Sequence, residues 1–125
     1  MPDVNLLAVL VTGVAMLVVG GVYYALLGSH IAPVGEARPG WQLPVVELLR
    51  GLVLAAVVAG LAAYAGIGTA AGGLVLGLVL WVGFPAVLWT GAVFHERVPV
   101  RQALVHAGDW LAKLLVAGVI VTVWQ

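Results

Sequence analysis

Gln102, His106, Asp109 and Lys113 follow one another at spacings of four, three and four residues. At about 100° per helical residue they fall within roughly 60° of one another, so one helix face carries an amide, an imidazole, a carboxylate and an ammonium. An imidazole one turn from a carboxylate can pass a proton, and an ammonium one turn further can hold the carboxylate ionised. Glu47 and Arg50, three apart, put a second acid and base on another segment, and Tyr23 and Tyr24 offer hydroxyls on a third. Two chemistries suit this set. In a binding site for a small polar or protonatable solute, His106 and Asp109 are the protonatable pair, Arg50 an anion anchor, Lys113 the charge at the closed end, and Tyr23, Tyr24 and Gln102 supporting polar contacts. In an enzyme acting on a hydrophobic substrate, Asp109 or Glu47 is the catalytic acid or base, His106 its proton partner, and the tyrosines orient the substrate.

The segments that carry these groups are unusually apolar. The 125 residues are 64% hydrophobic and 8% charged, with mean hydropathy +1.20, where a soluble domain is about 25% charged. Ten charges cannot cover a soluble surface of this size, so the solvent for this chain is lipid. Five basic residues balance five acidic ones, leaving no basic field for nucleic acid. Cysteine is absent, which excludes disulfides and thiolate chemistry. The three histidines are scattered over three segments, His30 and His95 at helix ends where an interfacial polar role suits them, and no metal or cofactor motif appears.

Four apolar segments, 5–27, 44–65, 69–94 and 99–124, are each long enough to span roughly 30 Å of hydrocarbon. They predict an all-α, four-transmembrane-helix bundle formed as one domain. The opening run "MPDVNLLAVLV" lacks a basic flank and continues through "VVGGVYYALLG", which reads as a retained first helix and not a cleaved leader. The long first connection contains Trp41, suited to an interface. "GIGT" is a tight turn that predicts the second and third helices as antiparallel neighbours. "HERV" is a short polar turn before Pro99. Arg38, Arg50, Arg97 and Arg101 flank the first and third connections, which places that side in the cytoplasm and the termini outside.

Small residues at spacing four predict helix contacts: Gly73 and Gly77 in the third helix, and Ala55, Ala59 and Ala63 in the second. Pro85 removes a backbone donor and crowds the Trp81 carbonyl, so the third helix should bend in its middle. Arg101 lies off the polar stripe and should snorkel to the headgroups. A lone charge at the centre of a membrane helix costs about 2.5 to 3.5 kcal/mol. Pairing relieves that cost, and Arg50 can neutralise Glu47 or Asp109. The stripe therefore faces inward whether it lines a cleft open to the cytoplasm or merely fixes helix register.

"VVGGVYYALLG" and the last third, "LWVGFPAVLWTGAVFHERVPVRQALVHAGDWLAKLLVAGVIVTVW", resemble the bacterial membrane family catalogued as domain of unknown function 1761. The first stretch is similar to that family's glycine-then-aromatic signature near the end of the first helix, and the second to its closing helix pair. The resemblance implies four membrane helices in a bacterial cytoplasmic membrane and carries no catalytic residues over. Tyr23 and Tyr24 stand where the family shows a Trp-Tyr pair, and Asp109 stands where the family implies an aromatic. A carboxylate at that depth marks a specialised member. Four helices make a small wall for a pore, which favours a homo-oligomer holding a polar or lipophilic ligand. An accessory subunit docking its glycine faces on a larger complex is the remaining expectation, and it predicts a polar stripe paired wholly within the chain.

Overall fold

Local sequence sets the helix ends. Asn5 accepts from the Ala8 N–H at 3.1 Å and starts α1 (Leu6–Leu27). α2 (Gln42–Ala65) begins two residues ahead of Pro44, which falls in the first turn, where a missing N–H forfeits no helical bond. Gly66 closes α2 with φ 71°. The Gly66 N–H bonds the Ala63 carbonyl at 3.3 Å and the Ile67 N–H bonds the Ala62 carbonyl at 2.9 Å, so a left-handed glycine satisfies two end carbonyls. Thr69 then caps α3 (Ala70–Gly83) by accepting from Gly72 at 3.0 Å. α4 (Pro85–His95) and α5 (Val100–Val123) follow.

These elements come from a computed structural model that describes residues 4–28 and 40–125. His30 and Arg38, and the expectations attached to them, lie outside the described residues. α3 and α4 continue one another as a single span, Ala70–His95, so among the described residues four helices are long and apolar enough to cross a membrane. The chain is an all-α four-helix integral membrane protein, as its composition predicts.

The predicted bend in the third span is a break. Phe84 leaves helical geometry at φ −121° and ψ −75°. Pro85 cannot donate to the Trp81 carbonyl, and its ring disfavours a helical residue before it. The helix restarts at once, with the Leu88 N–H on the Phe84 carbonyl at 2.8 Å.

α5 packs against all four other pieces and carries more buried residues than any of them. The core joins Val9 and Met16 of α1, Ala55, Val58, Ala59 and Ala62 of α2, and Leu114, Ala117 and Val121 of α5. Ala62 is fully buried where the spacing-four pattern predicts Ala63, because a face read at spacing four drifts over about two turns. The "GIGT" turn joins α2 to α3, yet these two do not pack along their length: α2 packs on α1 and α5, and α3 on α5 and α4. Glycines decide this. The missing side chains of Gly73 and Gly118 face each other's backbone carbonyls, and that of Gly77 faces the Leu114 carbonyl. α3 is drawn onto α5 instead of lying along α2.

The first and last spans meet where Asn5 Nδ2 approaches the Trp124 carbonyl at 3.5 Å, beside Gln125 Nε2 on the Ile67 carbonyl at 2.7 Å. The other end of the bundle holds the end of α1 and the starts of α2 and α5, and there the ionisable side chains collect. Trp41 is exposed there, as are Arg97 and Arg101.

Candidate functional site

The polar stripe of α5 is buried against α1 and α2. Asp109 is 3% exposed, and lies about 13 to 14 Å along the helix from Val100. Such a carboxylate must find partners, and one of its oxygens does. Asp109 Oδ2 receives Lys113 Nζ at 2.9 Å and the Tyr24 hydroxyl at 3.4 Å. The space for Lys113 comes from α1: a Cβ on Gly20 would stand 3.0 Å from Lys113 Cε and 3.7 Å from Asp109 Oδ1.

From Lys113 the charges form a ladder toward the surface. Lys113 Nζ also reaches Glu47 Oε2 at 3.4 Å, and Glu47 Oε1 accepts from Arg50 Nη1 one turn along α2. The guanidinium lies over the Trp110 ring, with Arg50 Cζ 5.8 Å from the centroid. Acids and bases alternate as Asp109, Lys113, Glu47 and Arg50, so the ladder is neutral overall. Exposure rises along it: the Lys113 side chain is 13% exposed, Glu47 25% and Arg50 54%. Between α2 and α5 it borders a narrow open groove, with Met16 and Leu54 as apolar lining beside Glu47, Arg50, Trp110 and Lys113.

A second chain of contacts leaves Asp109 toward α4. The Tyr24 hydroxyl is 2.8 Å from His106 Nδ1, and the His106 ring stacks on Trp89 with centroids 4.8 Å apart and planes 8° from parallel. Tyr23 stands edge-on to Tyr24 at 5.4 Å and donates to the Val105 carbonyl. Its hydroxyl occupies the place a Cβ on Gly108 would take, so Gly108 seats it. Trp81 Nε1 donates to the Ala107 carbonyl at 2.8 Å and fixes α3 beside the same turn of α5.

Of the residues singled out in the sequence, Tyr24, His106, Asp109, Lys113, Glu47 and Arg50 are brought into one connected network. Arg50 neutralises Glu47 and not Asp109, and stands at the outer edge of the groove, because its position on α2 turns toward Trp110. Glu47 meets Asp109 only through Lys113. Tyr23 buttresses Tyr24 and touches neither carboxylate. Gln102 is half-buried and makes no hydrogen bond to this network among the described residues. Where the sequence predicts a cleft, the geometry gives a paired ladder beside a narrow groove, since Lys113 fills the space between the two acids.

Sequence reasoning missed Gly20, Trp89 and Trp110. The doubled glycine just before Tyr23 and Tyr24 was a signal for a large group approaching α1 at that level. No sequence signal pointed to Trp89, which comes from the span whose break sets its direction.

Two buried polar atoms here lack a hydrogen-bond partner among the described residues, Asp109 Oδ1 and Trp89 Nε1. No group of three histidine or acidic side chains among those residues is arranged to hold a metal ion. The site is a buried carboxylate served by an ammonium, a phenol and an imidazole, with one acceptor oxygen unused. No curated protein and no solved structure matches the chain. The family model described as "Protein of unknown function (DUF1761)" matches residues 7–122, nearly the whole bundle and every member of the network, and the chain belongs to that family.

Proposed function

We propose that the protein binds a small polar or protonatable solute in the groove bordered by Glu47, Arg50, Trp110 and Lys113, from the membrane face on which the first and third connections lie. The observation that carries this reading is the ladder from Asp109 through Lys113 and Glu47 to Arg50, which links a buried carboxylate to an open groove. Ionisable groups are costly inside a membrane, and where they are kept they mark sites and pathways. Arg50, Arg97 and Arg101 at that end favour the cytoplasm as the face served. Past Lys113 the same face of α5 turns apolar at Ala117 and Ile120, so one chain supports binding, and translocation calls for a second copy to complete the path.

The accessory-subunit reading draws on a specific observation too, the near-complete pairing of the network within the chain. Asp109 Oδ1 and the groove are what it leaves unexplained. The enzyme reading needs an enclosed chamber for a hydrophobic substrate, and the groove beside the charges is open and narrow.

Titration of the purified protein with formate, glycine and guanidinium, read by Trp110 emission against a Trp110→Phe control, tests the proposal. One of these probes gives a saturable change, and Arg50→Gln or Glu47→Gln weakens it by about tenfold, the value of one charge-assisted contact. A flat response to all three, or a response that both variants leave intact, contradicts it and favours the subunit.

A further inference from the structure

The Tyr24 hydroxyl holds one proton and faces two acceptors, His106 Nδ1 at 2.8 Å and Asp109 Oδ2 at 3.4 Å. It can donate to only one of them at a time. When it donates to Asp109, the His106 contact is a hydrogen bond only if Nδ1 carries a proton and donates back. When it donates to His106, the Asp109 contact is a hydrogen bond only if the carboxyl is protonated. Both states use the same three heavy atoms, and they differ by two concerted hops that move one proton in net from His106 to Asp109. His106 is half-buried at the outer end of this line and Asp109 buried at its inner end.

We propose that His106, Tyr24 and Asp109 form a proton relay that loads and unloads the Asp109 carboxylate, and that loading hands Lys113 from Asp109 to Glu47. This deepens the solute-binding reading and rests on it for the role of the groove. In the loading step an imidazolium at His106 gives its Nδ1 proton to Tyr24 Oη while Tyr24 gives its own proton to Asp109 Oδ2. The products are a neutral imidazole, a neutral phenol and a carboxylic acid, and one proton from water recharges His106. Neutral Asp109 no longer attracts the ammonium it holds at 2.9 Å, and Glu47 already stands 3.4 Å from the same nitrogen. Glu47 then has two cations competing for it, which releases Arg50 toward the groove. The charged and titratable groups facing this line are Tyr23 and Tyr24 from α1, Glu47 and Arg50 from α2, and His106 and Lys113 from α5, while α3 and α4 bring the indoles of Trp81 and Trp89.

The test is a pH jump on the protein in nanodiscs, followed by the infrared carbonyl band of a protonated carboxyl, with the Asp109 band identified as the one lost in Asp109→Asn. In the wild type this band rises as the pH falls. In Tyr24→Phe, which keeps the ring, it rises more slowly by about a hundredfold, the scale on which a positioned proton carrier acts. His106→Gln gives the same slowing and serves if the tyrosine variant does not fold. Absence of an Asp109 band at every pH at which the protein stays helical, or an unchanged rate in the folded variants, overturns the relay. The Trp110 titration is independent: an intact relay without any solute response would sink the binding reading alone.

Discussion

Replacing Lys113 by methionine lowers the stability of the bundle by about 3 to 5 kcal/mol, the usual result of removing one partner from a buried ion pair. The side chain of Asp109 is 4% exposed and that of Lys113 13%, so the carboxylate left behind has no water to take the place of the ammonium. Tyr24 supplies one hydrogen bond at 3.4 Å, too long to compensate. Lys113→Met placed in an Asp109→Asn background costs far less, because the buried charge has gone with its partner. Arg50→Met changes stability by about 1 kcal/mol or less, since that side chain is 54% exposed and its pair is solvated by headgroups and water. Equilibrium unfolding in mixed micelles measures all three. If Lys113→Met were equally harmful with and without the Asp109 carboxylate, the two groups would not be coupled.

Gly118→Leu separates α3 from α5 and gives the second large loss. The Gly118 Cα faces the Gly73 carbonyl, and the Gly73 Cα faces the Gly118 carbonyl and the Thr122 hydroxyl, so any side chain at either position meets backbone that cannot rotate away. Alanine at Gly118 already costs about 1 to 3 kcal/mol by overpacking, and leucine costs more. The harm reaches the site, because α3 holds Trp81 against the Ala107 carbonyl and leads into the α4 segment that stacks Trp89 on His106. Gly60→Ala is the control: no atom lies near its added Cβ, and alanine in a helix interior is favoured over glycine by up to about 1 kcal/mol. Thermal unfolding together with Trp fluorescence separates a local loss at Trp89 from a global one.

How much of this was legible in the sequence depends on the range of the interaction. The spans, the proline break and the close approach at Gly73 and Gly77 follow from residue types at helical spacing, which local chemistry dictates. The α5 stripe was legible for the same reason, and that it would face inward and be paired followed from the cost of burying charge. The partner of each charge was not. Whether Arg50 meets Asp109 or Glu47 depends on the rotation of α2 about its axis, set by the packing of Ala55, Ala59 and Ala62 into the core. The misplaced contact between α2 and α3 has a similar origin: a short turn fixes that two helices are consecutive, while the glycine seam with α5 fixes where the second one lies. Trp89 needed both the direction the chain takes after Phe84, which Pro85 does not set, and the α4 to α5 packing, which leaves no mark near position 89.

Charges from α2 and α5 converge inside the bundle, and Lys113, the one lysine of the chain, lets that convergence be measured directly. Solid-state NMR in lipid bilayers, with ¹⁵N at the lysine ammonium and ¹³C at either the aspartate or the glutamate side-chain carboxyls, reads the two separations directly. Strong dipolar dephasing is expected from both labels, for an ammonium 2.9 Å from an Asp109 oxygen and 3.4 Å from a Glu47 oxygen. An ammonium signal unaffected by the glutamate label would show that α2 does not meet Lys113, and the site described here would not exist.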